Sequence, residues 1–159
     1  MRISPANVTG LSLAALLCMK APSPAREKSL ALQRRALTFR KGVNLARPQR
    51  FTNIPSETVW RQLVRAADSV SNSLTEAGEA VSGPAFVQKI KLTLRETRES
   101  RTCLEKIRVS KLDRFEAVAK LEREAGELCA LFATISVQIA NPSECERQAR
   151  KASTDTDAC

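Results

Sequence analysis

The sequence predicts an all-α protein: an antiparallel up-down four-helix bundle with a disordered N-terminal extension and a disordered C-terminal tail. Four segments repeat apolar residues every three or four positions, the spacing of one helix face. Gly and Pro number only 5 and 7 in 159 residues and fall mostly between those segments. The aromatic content of 4% argues against an all-β domain, which is enriched in aromatic and β-branched residues.

The chain is long enough for one domain that buries its core without disulfides or metals. We expect this domain at residues 28–140, preceded by an extension at 1–27 and followed by a polar tail at 141–159. Within the extension, residues 11–19 are apolar but too few to span a bilayer. They either form the core of a signal peptide or lie upstream of an alternative start at Met19. We expect a cytoplasmic protein without membrane contact.

The first two helices are predicted on either side of Pro48. The first covers residues 28–47, since proline disfavours helical backbone before it. The second begins with Ser56 as its N-cap and ends early at Gly78 or, at the latest, at Gly83. The apolar stripes are Leu32, Ala36, Phe39, Val43 and Ala46 in the first helix, and Trp60, Leu63, Ala67, Val70, Leu74, Ala77 and Val81 in the second.

The third helix is predicted over residues 84–109 and the fourth over 113–140, with Asp113 as N-cap and Pro142 beyond the end. The stripe of the third helix is small and polar in the middle, which favours the close approach of a neighbouring helix. The stripes are Phe86, Ile90, Thr93, Thr97, Ser100, Leu104 and Ile107 in the third helix, and Val118, Leu121, Ala125, Leu128, Phe132, Ile135 and Ile139 in the fourth.

Positive charge is concentrated in the first and third helices. The formal net charge is +9; residues 26–50 hold eight basic side chains against one acidic, and residues 86–111 hold eight against three. Such surfaces attract polyanions, and binding through phosphates is salt-sensitive and independent of sequence. The candidate nucleic-acid-binding residues are Arg34, Arg35, Arg40, Lys41, Lys89, Lys91, Arg95 and Arg98. The alternative is that these charges only solubilise helix faces.

No residue pattern for catalysis or metal binding is present. The chain has no His, which excludes Ser-His-Asp chemistry and the usual Cys/His zinc sites, and it has no Gly-rich phosphate loop. Its five Cys form no CxxC pair and indicate reduced thiols, with Cys103 and Cys129 in or near the core. We therefore expect no catalytic residue, no metal, no cofactor and no enzymatic activity.

Three segments, within residues 28–140, resemble the ribosomal-RNA intervening-sequence proteins, a family of four-helix bundles. QLVRAADSV at 62–70 is similar to the first half of the family's second-helix pattern, although Ser73 and Ala77 replace its usual Asn and Gly. LRETRESRTCL at 94–104 and LEREAGELCALFATI at 121–135 are similar to the third and fourth helices. By these segments the chain is identified as a divergent member.

The resemblance implies a homo-oligomeric, pentameric ring. Some members are encoded within intervening sequences of large-subunit ribosomal RNA genes, and a related branch serves diversity-generating retroelements by binding a reverse transcriptase and nucleic acid. No catalytic residues are established in the family, and the structural signature positions are Arg65, Ser69, Glu76 and Glu99. The two carboxylates either face Arg65 across helices, partly buried, or are simply exposed.

Two functions follow as hypotheses. The first is a non-enzymatic, homo-oligomeric bundle that binds RNA or DNA through phosphates. The second is a structural or adaptor oligomer whose basic faces dock neighbouring protomers or an acidic partner protein.

Overall fold

The computed structural model describes residues 24–51, 53–111 and 115–140, which form four helices and no strand. The all-α bundle predicted from the sequence is confirmed. The helices are α1 (Pro24–Ala46), α2 (Ile54–Gly78), α3 (Gly83–Val109) and α4 (Phe115–Ala140). None of these four is long and apolar enough to cross a membrane. The apolar run at 11–19, the proposed cap Asp113 and the tail at 141–159 lie outside the described residues.

Each helix packs against two neighbours, in the cyclic order α1, α2, α3, α4. Neighbouring helices are antiparallel: Gln62 meets Glu99 in one half of the α2–α3 pair, and Glu76 meets Lys89 in the other. Within the described residues, α1 and α3 make no contact with each other and lie diagonally across the bundle. The two basic segments of the sequence therefore belong to opposite helices.

The core follows the predicted stripes with one clear exception. Most stripe residues are buried, and the largest fully buried side chains are Trp60, Phe39 and Phe132. Val81 is instead 99% exposed, because α2 ends at Gly78, the earlier of its two predicted ends. Placing Val81 in the core was therefore wrong.

Two helix starts differ from the predictions. The N-cap of α2 is Asn53, whose Oδ1 accepts a hydrogen bond from the Ser56 backbone N at 2.8 Å. Ser56 was therefore wrongly predicted as the cap; it lies in the first turn and is buried. Helix α1 begins at Pro24, four residues before the predicted boundary, since proline is favoured in the first turn of a helix.

The polar middle of α3 is buried and satisfied within its own helix. Thr93, Thr97 and Ser100 are inaccessible to solvent. Their hydroxyls donate to the carbonyl four residues earlier, at 2.8, 2.7 and 3.0 Å. These short side chains therefore enter the core without leaving an unpaired hydroxyl.

Trp60 is different. It is fully buried, and its indole Nε1–H is the one buried side-chain polar group without a partner among the described residues. Leaving a buried donor unpaired costs about 1–3 kcal/mol. The packing of the large ring offsets that cost, because a buried aromatic side chain removes a large apolar area from water.

Candidate nucleic-acid interface

Four of the eight predicted binding residues are held in ion pairs. Arg35 is the most engaged: its Nε lies 2.7 Å from Glu124 Oε1 and its terminal nitrogen 2.5 Å from Glu127 Oε2. The hydrogen bond to Glu124 is the main reason that the pKa of this guanidinium is raised. Arg35 thus joins α1 to α4.

Two more of these pairs also join helices. Arg40 bonds to Asp68 and links α1 to α2. Lys89 Nζ lies 2.5 Å from Glu76 Oε2 and links α3 to α2. These cations link neighbouring helices, and each already lies against a carboxylate.

The fourth pair, Arg95 with Glu96, lies within α3. Only 11% of the Glu96 side chain is exposed, and Arg95 reaches over it from solvent with an N–O distance of 2.8 Å. The hydrogen bond to Glu96 raises the pKa of Arg95. Arg95 therefore compensates a nearly buried carboxylate, a role the sequence pattern did not reveal.

The other four predicted residues are exposed and have no carboxylate partner among the described residues. These are Arg34 and Lys41 on α1, the α1 basic face, and Lys91 and Arg98 on α3, the α3 basic face. Arg34 Nε donates only to the Leu30 carbonyl, at 3.3 Å. Each pair is separated by seven residues, which is two helical turns or about 10 Å along the axis.

The structure adds two cations to this set, Arg101 on α3 and Arg123 on α4. Both are exposed and line one groove between these helices. Sequence reasoning missed Arg123 because α4 is slightly acidic, with glutamates on both sides of it. Those glutamates are paired elsewhere: Glu122 with Arg108 at 2.7 Å and Glu124 with Arg35. Charge counting along a helix cannot show which carboxylates are already neutralised.

The signature positions do not form the cross-helix pair that one interpretation expected. Glu76 is exposed and binds Lys89, and Glu99 accepts from Gln62 Nε2 at 3.0 Å. Arg65 is exposed and takes part in neither contact, so pairing with Arg65 was wrong. Ser69 is half-buried in the α2 helix.

Within residues 24–51, 53–111 and 115–140, no group of three Cys, Asp or Glu side chains could hold a metal ion. The buried thiols Cys103 and Cys129 are both free, and burial raises the pKa of each. Protonated thiols at neutral pH are poor nucleophiles.

The fold and its charges define a basic, antiparallel four-helix bundle. A crystal structure of a protein of unknown function from the S23 ribosomal protein family of Bacteroides thetaiotaomicron has this fold, with a TM-score of 0.58 and 22% sequence identity. The alignment covers 69% of this chain and 97% of that one. At this identity the likeness concerns the fold alone. No protein-family model matches the chain, and no curated protein sequence matches it.

Proposed function

We propose that this chain is a non-enzymatic four-helix-bundle protein that binds RNA or DNA through contacts with phosphates. The observation that carries the proposal is the set of exposed cations without carboxylate partners on α1 and α3. The resemblance of residues 62–70, 94–104 and 121–135 to intervening-sequence proteins supports it.

The unpaired cations, Arg34, Lys41, Lys91 and Arg98, are the binding residues in this proposal. A cation gains affinity for nucleic acid by neutralising a phosphate and releasing its counterion. Arg35, Arg40 and Lys89 would first have to break their ion pairs, so their net gain is smaller. The interface is thus half of the set that charge alone predicts.

Binding through phosphate contacts does not depend on base sequence. Sequence-tolerant recognition of single strands relies on exposed aromatic side chains that stack on bases. Among the aromatic side chains that the structure describes, Trp60, Phe39 and Phe132 are buried, and Phe51 and Phe86 are partly buried against the core. Backbone contacts therefore dominate, and we expect affinity to fall steeply between about 50 and 200 mM salt.

The test is a salt titration of binding to RNA and DNA, single- and double-stranded. The double variants Arg34→Glu/Lys41→Glu and Lys91→Glu/Arg98→Glu should each weaken binding. The control, Arg61→Glu/Arg65→Glu, makes the same change in net charge on α2 and should bind more nearly as the wild type does. Absence of binding by the wild-type protein at low salt would overturn the proposal.

A second candidate is an adaptor or self-assembling oligomer, for which the resemblance suggests a pentameric ring. The specific observation is the outer surface of α1, where Leu30, Leu37 and Leu45 are exposed beside Arg34 and Lys41. Apolar side chains between cations suit a protein surface better than a phosphate backbone. Native mass measurement of Leu37→Asp/Leu45→Asp tests this candidate, which predicts dissociation to smaller species.

A further inference from the structure

We propose that the groove between α3 and α4 seats phosphates of the nucleic-acid backbone, with Arg101 and Arg123 as its binding side chains. This inference rests on the proposed function and names where the polyanion lies. The α3 basic face would then continue onto α4, and the main binding surface would be formed by α3 and α4.

The charges of the groove favour an anion. Arg101 and Arg123 line it from two different helices, and neither has a carboxylate partner among the described residues. The two acidic residues in its walls are engaged elsewhere: Glu122 with Arg108 at 2.7 Å, and Glu127 with Arg35 at 2.5 Å. The groove therefore presents two guanidiniums beside Glu122, which has its own partner, and Glu127, which shares Arg35 with Glu124. A guanidinium fork matches the oxygens of a phosphate in pairs.

The groove is continuous with the α3 basic face. Arg98 and Arg101 are three residues apart and so are neighbours on the helix surface. Arg101 lies beside α4, since it lines the groove together with α4 residues. The positive charges of Arg101 and Arg98 also oppose the rise in the pKa of Cys129 on α4 that burial causes. Arg98 and Arg101 of α3 and Arg123 of α4 thus form one run of cations across two helices.

The floor of the groove carries little side-chain bulk. Ala119, Gly126 and Ala130 of α4 line it together with the two arginines. A Cβ added to Gly126 would meet no atom within 4 Å, so packing inside the chain does not require glycine there. Glycine is unfavourable inside a helix relative to alanine. The small side chains leave open space beside both arginines, which an extended phosphate backbone can enter.

The test compares the salt dependence of nucleic-acid binding by the full chain and its variants. For Arg101→Ala/Arg123→Ala we expect the slope of log K against log salt to become shallower by about 2, since each lost phosphate contact removes roughly 0.9 for duplex DNA. Arg101→Lys/Arg123→Lys should retain most of the slope, because lysine keeps the charge. Gly126→Leu, which keeps both arginines and fills the floor, should also weaken binding.

The control is Arg61→Ala/Arg65→Ala on α2, a helix that makes no contact with α4 within the described residues; it removes the same charge and should leave the slope nearly unchanged, since Arg61 is already paired with Glu57 at 2.7 Å. Circular dichroism establishes that each variant is folded. A slope unchanged in Arg101→Ala/Arg123→Ala, or lowered equally in the control, would overturn this inference while leaving nucleic-acid binding itself intact. No binding by the wild type at low salt would overturn both proposals.

Discussion

Gly42 of α1 lies directly against Leu121 of α4: a Cβ at position 42 would stand 2.9 Å from Leu121 Cδ2. This distance is shorter than any ordinary van der Waals contact. From the sequence alone, Gly42 predicts only that the basic helix α1 is locally less stable at this position. In the fold, its missing side chain lets α4 approach α1.

The two mid-helix glycines of α1 and α4 should therefore respond differently to substitution. Gly126→Ala, which meets open space, should raise the free energy of unfolding by about 0.5–1 kcal/mol through helix propensity. Gly42→Ala should gain less because the Leu121 side chain must move, and Gly42→Val should cost about 1–3 kcal/mol by overpacking. Urea unfolding measures all three. Equal stabilisation by the two alanines would contradict the close contact.

The neighbours Arg34 and Arg35 should separate binding from stability. Arg35→Ala breaks the link to Glu124 and Glu127 and should lower the free energy of unfolding by about 1 kcal/mol, a modest value because the pair is partly exposed. Arg34→Ala should change stability by less than about 0.5 kcal/mol. Nucleic-acid affinity should follow the opposite order. Chemical denaturation and a binding titration on the same two variants decide the matter.

Alkaline pH should destabilise the fold through its buried thiols. Burial raises the pKa of Cys103 and Cys129 above the ordinary value of 9.0. Between the unfolded and folded pKa the native state holds more protons, so stability present below pH 9.0 is lost as pH rises. The free energy of unfolding of the wild type should fall more steeply above that pH than that of Cys103→Ala/Cys129→Ala. Parallel curves for the two proteins would show that the thiols titrate normally.

The unpaired indole N–H of Trp60 predicts an asymmetry between two substitutions. Trp60→Ala should cost about 3–5 kcal/mol because it leaves a large cavity. Trp60→Phe loses some packing but removes the unpaired donor, so its cost should be much smaller. Thermal unfolding followed by circular dichroism compares them. A phenylalanine variant as unstable as the alanine variant would indicate that the N–H is in fact satisfied.

Sequence periodicity was sufficient for the fold. The apolar stripes on α1 to α4 follow from the 3.6-residue helical repeat, which is a local property of the chain. The stripe residues Phe39, Leu63, Ile90 and Leu128 are accordingly buried in the packed bundle. Val81 and the N-cap of α2 were missed because helix ends depend on a few competing signals. Asn53 and Ser56 are both good caps by residue type, and only the backbone shows which one is used.

The candidate interface was harder to predict, because the number of charges in a segment does not show which cations are paired with carboxylates in the fold. Arg34 and Arg35 are equivalent in composition, but they point to different sides of α1, and only Arg35 meets α4. Glu96 gave no sign in the sequence that it is nearly buried beneath Arg95. Which cations are free is decided by contacts between distant parts of the chain, and those become visible only when the helices are packed.

The position of Trp60 also gives the protein a built-in optical probe. The chain has one tryptophan and no tyrosine, so its near-ultraviolet fluorescence comes almost entirely from this ring. A fully buried indole without a hydrogen-bond partner emits at short wavelength, and exposure to water moves the emission to the red. Because Trp60 is fully buried in the core, its emission reports unfolding of the bundle without any added label.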